Sequence, residues 1–385
     1  MFKKSVDARK NILYITPGPT WRPHSIVYQS QFNGLSKSFK GYIFTTSSGT
    51  ETFRMDNFTF ISMKFEFSKT KVLKFYFFCF WNAVKFLVRK ERIHLVVTYD
   101  PLTTGIIGFF LSCVLWTNFA TEVPGVYTSA GLRNDEGHPL KTKLRKKIYP
   151  LIMRFILSRA KGIRLRFREQ IDPINISVKG KVVCVLHGFV DLENFRNLKE
   201  EKEILLVGFP FKVKGVDILI EAFKKVAHKH PDWKLKIMGW YPDSKELNAA
   251  IGGHPQIYHH PPVPHDEIPK HIGSCGILAL PSRSDALARV LLEGMAAGKP
   301  RVGSRVDGTP SIINDGVDGF LVEPENVDDL AEKLDMLMSD PDLRSKLGKM
   351  GEVRAKTEFS NEQYFMKLAN FYTEVIDKGD GDRRE

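Results

Sequence analysis

The sequence predicts an α/β protein made of two doubly wound domains, each with a parallel sheet covered by helices. Two observations carry this prediction. The chain has 385 residues, which is more than one hydrophobic core usually serves. Short runs rich in β-branched and aromatic residues alternate with helical stretches, first before and then again after a polar segment at residues 196–202. Such alternation is typical of parallel sheets whose strands are joined by crossover helices.

The composition agrees with a globular protein that has packed cores. Hydrophobic residues make up 43% of the chain and charged residues 26%, which excludes a fibrous or wholly disordered chain. The longest apolar stretch, residues 105–120, is interrupted by polar side chains and is shorter than the roughly 20 residues that cross a membrane. No apolar secretion signal follows the basic N-terminus, and the four cysteines lack the spacing of a disulfide framework. We therefore expect a cytoplasmic protein without a transmembrane helix.

The first domain is expected over residues 1–198. Its strands are predicted at residues 11–17, 41–46, 58–65, 94–99, 115–122, 162–167 and 182–187. Between the third and fourth strands, residues 71–90 have helical spacing and many aromatic side chains. One narrow stripe of this helix holds the polar positions Lys71, Lys74, Asn82, Lys85 and Arg89. Two interpretations stay open: a helix buried against the sheet, or a helix that partly inserts at a membrane surface.

The charge of the first domain indicates a surface for anions. Residues 1–200 contain 32 Lys/Arg and 14 Asp/Glu, against 25 and 30 in the rest of the chain. Residues 141–168 contain eleven basic residues and no acidic ones, interleaved with apolar side chains. An anionic membrane, a nucleic acid or plain solvent are the alternatives for this face. The candidate membrane or acceptor surface is formed by Lys143, Arg145, Lys146 and Lys147.

The second domain is expected over residues 199–360. Its strands are predicted at residues 204–208, 235–239, 256–259, 276–280, 301–304 and 319–322. A terminal helix at 361–377 is expected to pack back toward the first domain, and the polar tail at 378–385 is expected to be disordered. Open α/β sheets bind ligands beyond the carboxyl ends of their strands, so a central cleft faced by both domains is the predicted site.

Residues 277–298 are the segment most clearly suited to ligand chemistry. They predict a strand, a polar loop and a helix that Ser284 or Asp285 caps and Gly298 ends. The free amides of a first helical turn form an anion site, which suits a diphosphate. Glu293 lies two turns further on, where a carboxylate can accept hydrogen bonds from vicinal hydroxyls such as those of a ribose. The plain alternative is a capping aspartate and a surface glutamate.

The same segment resembles a known family. PSRSDALARVLLEGMAAGKP, followed by GSRVDGTPSIINDGVDGFLVEPENVDDLAEKL, looks like the donor-binding half of glycosyltransferase family 4, retaining enzymes of the GT-B fold with two Rossmann-like domains. The Glu-x7-Glu motif of that family appears as Asp285-x7-Glu293. VGFPFKVKGVDILIEAF is similar to the family's Gly-Arg-x4-Lys-Gly segment, with Gly208, Lys214 and Gly215 in register.

The resemblance implies a role for each matching residue. Glu293 would bind the nucleotide ribose, Lys214 a phosphate oxygen, and Asp285 the transferred sugar, so Asp285 and Lys214 are the expected catalytic residues. The expected donor-binding residues are Gly18, Gly208, Lys214, Leu287, Ala288, Arg289, Val290 and Glu293. Three departures from the family pattern are Phe209, where arginine is usual, Asp285, which is one methylene shorter than glutamate, and Thr121–Gly125, where the histidine often found in the first domain is absent and Pro124 lies near its place. Lys212 or Arg289 are the candidates for the missing positive charge.

The function that the resemblance implies is retaining, metal-independent transfer of a hexosyl group, with no cofactor besides the nucleotide-sugar donor. UDP- and GDP-sugars are the favoured donors, and a glycan or lipid-linked glycan of surface polysaccharide or glycolipid synthesis is the expected acceptor. We expect the enzyme to lie at the inner face of a membrane. The alternatives are a nucleotide-sugar epimerase on the same fold, or a non-catalytic protein that binds nucleic acid or another polyanion. No nucleic-acid-binding signature favours the last.

Overall fold

The structure, a computed structural model, describes residues 9–16, 26–65, 70–127, 139–241 and 244–381, with the backbone alone for 26–30, 139–146 and 380. The described residues form two compact units. Unit 1 contains residues 9–127, 139–186 and 365–381 within those ranges, and unit 2 contains residues 187–364. None of the described helices is long and apolar enough to cross a membrane.

Unit 1 is built on an eight-stranded sheet. Its strands are β1 (Lys10–Ile15), β2 (Phe39–Ser47), β3 (Glu51–Met55), β4 (Phe58–Lys64), β5 (Leu95–Thr98), β6 (Asn118–Glu122), β7 (Gly162–Leu165) and β8 (Val182–Val185). They follow the order β3-β4-β2-β1-β5-β6-β7-β8. All neighbours are parallel except β3 and β4, which form an antiparallel hairpin. All seven strands predicted from sequence are present.

The hairpin strand β3 is the one element of this sheet that the sequence analysis missed. Its sequence, ETFRM, leaves the side chains exposed or half-buried, because β3 lies at the edge of the sheet. A solvated edge strand needs no buried apolar alternation, which is the signal that identified the other strands. The turn is closed by Asp56 with a positive φ of 48°, a conformation that aspartate tolerates better than most residues.

The crossover helices of unit 1 are α1 (Ile26–Ser36), α2 (Lys71–Val88), α3 (Thr103–Val114) and α4 (Pro139–Arg159). One hydrophobic core joins α2, α3 and α4 to the strands, through buried residues such as Phe75, Leu111, Ile156 and Phe44. The aromatic helix predicted at 71–90 is therefore α2. It buries one side only, with Phe75, Cys79, Asn82, Ala83 and Phe86 inside.

Unit 2 is built on a six-stranded parallel sheet. Its strands are β9 (Glu203–Val207), β10 (Lys234–Met238), β11 (Ile257–His260), β12 (Ile277–Leu280), β13 (Arg301–Ser304) and β14 (Phe320–Val322). Its helices are α5 (Val216–Val226), α6 (Ser244–Ile251), α7 (Ile268–Ser274), α8 (Arg289–Ala296), α9 (Val327–Ser339) and α10 (Pro341–Glu358). The strand order is β11-β10-β9-β12-β13-β14, the doubly wound order of dinucleotide-binding domains. The predicted fold class is thus confirmed.

The last helix, α11 (Asn361–Gly381), belongs to unit 1 from residue 365 onward. The Asn118 side chain donates to the carbonyl of Val375 at 3.3 Å, and Lys10 pairs with Asp377 at 2.5 Å. The expectation of disorder from residue 378 is wrong as far as Gly381. The helix continues because Val375 and Ile376 are fully buried and hold its last turns against the unit.

The expected domain boundary at residue 198 also differs from the structure, in which residues 187–198 are part of unit 2. The Val190 amide donates to the carbonyl of Phe359, and the Leu198 amide donates to the carbonyl of Gly273. Val190 and Phe195 are buried in the core of unit 2. The polar sequence at 196–202 marks the surface of unit 2, whereas the change of unit occurs directly after β8.

Candidate functional site

Two loops meet at the carboxyl edge of the unit 2 sheet, where β9 and β12 are neighbours. The chain winds outward in opposite directions from this pair, which is the position where open α/β sheets bind ligands. Residues 208–215 follow β9, and residues 281–288 follow β12. The Arg283 amide donates to the Val213 carbonyl at 2.8 Å, so the two loops are held together by their backbones.

Gly215 is required by this contact between the loops. Its φ is +66°, and an added Cβ would lie 1.9 Å from the carbonyl oxygen of Pro281. Side chains rarely adopt that conformation, and no side chain fits in that space. Arg283 reinforces the contact, because its guanidinium donates to the Asp217 carboxylate at 2.8 and 3.1 Å and to the Lys212 carbonyl at 2.7 Å.

The two predicted catalytic residues, Lys214 and Asp285, are brought together by these loops. Lys214 Nζ lies 2.5 Å from Asp285 Oδ2, and neither side chain is more than 21% exposed. Asp285 Oδ1 also accepts a hydrogen bond from the Leu287 amide at 3.2 Å. The Lys214 stem passes over Gly208, where an added Cβ would lie 3.0 Å from Lys214 Cγ. A cation and a carboxylate are therefore paired at the carboxyl edge of the sheet.

Glu293 lies inside α8 and is only 7% exposed. Its carboxylate accepts a hydrogen bond from Arg289 Nε at 3.2 Å. Burial raises the pKa of Glu293 to about 7, and the Arg289 cation opposes this shift without cancelling it. A buried carboxyl group with spare acceptor capacity is suited to hydroxyl donors of a ligand.

The expected cap of α8 is wrong. The helix begins at Arg289, and its N-cap is Ala288, which makes no side-chain hydrogen bond. Ser284 and Asp285 bind Asp307 instead: the Ser284 hydroxyl and the Asp285 amide donate to its Oδ2 at 2.6 and 2.9 Å. Sequence reasoning missed Asp307, because it follows β13 and no local pattern links it to the loop after β12.

The C-terminal end of α8 is as expected, because Gly298 takes a φ of +64° just beyond the helix. The four amides expected to hold a diphosphate lie at the start of α8. The Leu287 amide donates to the Asp285 carboxylate, and the Arg289 amide donates to the Leu287 carbonyl at 2.7 Å. Half of the expected anion site is thus already hydrogen-bonded within the loop.

Phe209, the main departure from the family pattern, is 44% exposed. Its ring centroid lies 5.3 Å from that of Trp240, so the place of the usual arginine is an aromatic surface beside Gly208. The two candidates for the missing charge have partners of their own. Lys212 pairs with Asp217 and Glu246, and Arg289 pairs with Glu293.

The remaining predicted site residues are not placed at these loops by the structure. Gly18 lies outside the described residues. Lys143, Arg145 and Lys146 lie on the backbone of α4 in unit 1, and their side chains are outside the described part. Lys147 is exposed on the same helix. Among the described residues, no group of three or more His, Cys, Asp and Glu side chains could hold a metal ion.

Two units, each with a mostly or wholly parallel sheet covered by helices, are typical of a class of two-domain α/β folds. This class includes the GT-B glycosyltransferases. Solved structures share the fold of this chain. Sucrose-phosphate synthase from Thermosynechococcus elongatus has a TM-score of 0.75 at 16% identity, covering 96% of this chain and all of that one. The Anabaena protein HepE in complex with UDP-glucose has a TM-score of 0.71 at 14% identity, covering 94% and 99% of the two chains.

Sequence comparison relates the second unit to a known family. Residues 191–354 match the model of the family of glycosyl transferases group 1. An uncharacterized glycosyltransferase of Methanocaldococcus jannaschii is 27% identical over 303 residues, which cover 77% of this chain and 80% of that protein. Another, of Haemophilus influenzae, is 32% identical over 148 residues, 37% of this chain and 41% of that protein. The glycosyltransferase resemblance drawn from the sequence is confirmed.

Proposed function

We propose that this glycosyltransferase moves a hexosyl group from a nucleoside diphosphate donor to a hydroxyl of a glycan or lipid-linked glycan, with retention of configuration and without a metal ion. The observation that carries the proposal is the meeting of Lys214 and Asp285, 71 residues apart in sequence, at the switch point between β9 and β12. HepE, which shares the fold, binds UDP and UDP-glucose. This supports a nucleotide-sugar donor here.

Different site residues act on the sugar and on the leaving group. A donor diphosphate competes with Asp285 for Lys214, and the ammonium then offsets the charge that grows on the departing phosphate. Asp285 accepts hydrogen bonds from hydroxyls of the transferred sugar, and Glu293 accepts them from the ribose. The acceptor hydroxyl attacks from the face that the diphosphate leaves, and a phosphate oxygen takes its proton. No side chain is assigned as a covalent nucleophile.

The donor is the first thing to test. The full chain is incubated with UDP-, GDP-, ADP- and CDP-sugars in excess EDTA, and nucleotide release and the melting temperature are followed. We expect the sugar nucleotide with the correct base to raise the melting temperature, and we expect its nucleotide to be released. No protection by any of the four contradicts the proposal. Loss of release in EDTA, with recovery on adding Mg²⁺ or Mn²⁺, contradicts the metal-independent mechanism.

A variant pair separates catalysis from binding. Lys214→Ala is expected to lower turnover more than donor affinity, because the charge it faces grows toward the transition state. Lys225→Ala removes a lysine of the same unit that pairs with the exposed Asp328, and it should leave turnover and donor affinity unchanged. Equal losses in turnover and affinity for Lys214→Ala would remove it from the catalytic role.

The acceptor and the membrane form the second half of the proposal. The excess of 18 basic residues in the first 200 supports an anionic acceptor surface, which we take to be the inner face of a membrane that carries the lipid-linked glycan. Incubation with candidate lipid-linked acceptors should give a product with the same anomeric configuration as the donor, measured by NMR. An inverted linkage would contradict retention.

The basic half also supports a second candidate, a protein that holds nucleic acid or another polyanion. Such binding weakens steeply with salt and needs no sugar nucleotide. An epimerase on the same fold would instead return a changed sugar still attached to its nucleotide. Chromatography of the reaction products distinguishes all three functions.

A further inference from the structure

Three helices of unit 1 lie side by side and form one continuous surface. The rings of Phe80 on α2 and Phe110 on α3 have their centroids 6.0 Å apart. The rings of Phe109 on α3 and Phe155 on α4 are 5.5 Å apart and perpendicular. The inner sides of these helices fill the core, so only their outer sides are available to a partner.

The outer sides carry large apolar side chains that no packing requirement of unit 1 explains. We call this set the apolar face, and it consists of Leu73, Phe77 and Trp81 on α2, Phe110 on α3, and Leu151 and Phe155 on α4, all exposed. Leu73 and Phe77 are 71% and 68% exposed. Single exposed apolar residues are ordinary, but a contiguous set on a folded unit marks an interaction surface.

Two grooves run along the apolar face. The larger, of about 1020 Å³, lies between α2 and α3 and is lined by Leu73, Phe77, Trp81 and Phe110 among others. The smaller, of about 340 Å³, lies between α3 and α4 beside Leu151 and Phe155. Ile106 borders both grooves. The surface is therefore corrugated and, apart from Lys74 beside the larger groove, lined by apolar and aromatic side chains, which suits flexible hydrocarbon chains.

The charges around the apolar face identify its partner. The sequences of the three helices contain no Asp or Glu, while α2 has three Lys/Arg and α4 has seven. Lys74, Lys85, Lys147 and Arg154 are exposed among the described side chains. The Arg159 guanidinium lies 4.8 Å from the Phe155 ring centroid, so cation and apolar surface are in direct contact. A second copy of the same cationic face would be repelled, whereas an anionic lipid surface offers both chemistries.

We propose that the apolar face inserts into the boundary between headgroups and acyl chains of an anionic bilayer, while the surrounding lysines and arginines bind lipid phosphates. The proposal rests on the membrane association proposed above. It goes further, because it adds partial insertion of the apolar face to the attraction between basic residues and anionic lipid. Partial burial of apolar side chains is insensitive to ionic screening, whereas the cationic contribution is screened. Binding should thus fall with salt to a plateau rather than to zero.

The test is flotation of the full chain with vesicles of phosphatidylglycerol and phosphatidylcholine, at low and high salt. We expect the protein to float with them and to remain partly bound at high salt. The variant Phe77→Ser, Trp81→Ser, Leu151→Ser should lower vesicle affinity by roughly a hundredfold. The matched control, Met350→Ser and Val353→Ser, changes exposed apolar residues of α10 in unit 2 and should bind as the unchanged chain does.

Fluorescence reports the insertion directly. Trp81 emission should shift to the blue and be quenched by lipids brominated in their acyl chains, and Trp81→Phe should remove that response. The inference is overturned if the unchanged protein ignores the vesicles, if the triple-serine variant binds equally, or if pure phosphatidylcholine is bound as well as the anionic mixture.

Nucleotide release, measured without vesicles, tests the transferase proposal separately from this inference. A chain that releases nucleotide but ignores vesicles contradicts insertion alone. A chain that binds vesicles but no sugar nucleotide contradicts the transferase proposal and leaves insertion supported. The triple-serine variant should release nucleotide in solution at the unchanged rate, which also shows that it is folded.

Discussion

Glu293 is a carboxyl group whose surroundings suit a neutral hydrogen-bonding ligand better than a cation. It is buried, Arg289 is its hydrogen-bond partner among the described residues, and its pKa is raised to about 7. The ribose hydroxyls of the proposed donor would add hydrogen bonds to the one that Arg289 donates. The site therefore contains a carboxyl group whose pKa lies close to neutral pH.

Replacing the Glu293 carboxyl group should weaken donor binding and leave the fold intact. We expect Glu293→Ala to lower nucleotide affinity by about 1.5 to 3 kcal/mol, the range of hydrogen bonds to a charged group. Calorimetric titration with the nucleotide found in the donor screen measures it. Glu332→Ala, which changes an exposed glutamate of α9, is the control. Unchanged affinity in folded Glu293→Ala would remove the residue from the site.

The raised pKa also makes donor binding depend on pH. Hydroxyl donors favour the ionised carboxylate, so binding should strengthen as the pH rises from 6 to 8 and should release a proton near pH 7. A sugar nucleotide is the right ligand, because its diphosphate has no ionisation in that range. Titrations in buffers of different ionisation enthalpy count the protons, and Glu293→Gln should abolish the dependence.

The stability of unit 2 should change with pH in the opposite direction to donor binding. The folded state holds the Glu293 proton more tightly than the unfolded chain, whose carboxyl titrates near 4.5. The contribution of Glu293 to the free energy of unfolding therefore falls as the pH rises from about 4.5 to about 7 and is constant above. Glu293→Gln should gain stability relative to the unchanged protein at pH 8 but not at pH 4, as measured by denaturant titration.

At the scale of elements, the site depends on two loops that hold each other in place. The loop after β9 supplies Lys214 and the loop after β12 supplies Asp285, and Gly215 lets their backbones touch. Each loop alone would present one charge of the pair. Their contact explains why a lysine and a glycine stand next to each other in this segment: one carries the charge, and the other allows the approach.

A pair of glycine variants tests this contact. Gly215→Ala should lower stability and donor affinity together, because the new methyl meets the Pro281 carbonyl as well as the strain of a positive φ. Gly253→Ala has the same strain, with a φ of +72°, but nothing within 4 Å of its added carbon. It should cost only about 1 kcal/mol. Equal effects in thermal denaturation would show that the loop contact is unimportant.

At the scale of the whole molecule, the charge is divided between the two halves of the chain: +18 over residues 1–200 and −5 over the rest. The cationic half contains the apolar face of unit 1. The more acidic half contains the proposed donor site, where repulsion of the phosphates is offset locally by Lys214. Membrane association and donor binding are thus expected to be separable functions of the two units.

Reversing charge on α4 tests that separation. Lys143→Glu, Arg145→Glu, Lys146→Glu and Lys147→Glu together should abolish most flotation with phosphatidylglycerol vesicles at low salt, since each basic residue near the surface contributes about 1 kcal/mol. At high salt the variant and the unchanged chain should differ little. Nucleotide affinity should be unchanged, and a parallel loss of it would show that the two functions are coupled.

Much of the fold was accessible from local pattern. Buried parallel strands are apolar runs of regular spacing, so all thirteen strands predicted from sequence are present, and β3 was missed because an edge strand carries polar side chains. The two segments proposed to bind the donor were recognisable by their resemblance to the family, because the residues of each lie close together in sequence: Gly208, Lys214 and Gly215 in one run, Asp285 and Glu293 in another. Glycine and proline placed the end of α8 correctly at Gly298.

Other features exist only in the folded chain, because they join residues that are distant in sequence. The hydrogen bonds from Ser284 and Asp285 to Asp307, the contact of Lys214 with Asp285 and the burial that shifts the pKa of Glu293 all depend on neighbours from other strands. The end of α11 was misjudged because polar composition suggested disorder, while Val375 and Ile376 bury its last turns. Periodicity showed that α2 was apolar nearly all round, but only packing against α3 and the sheet decided which side stayed exposed.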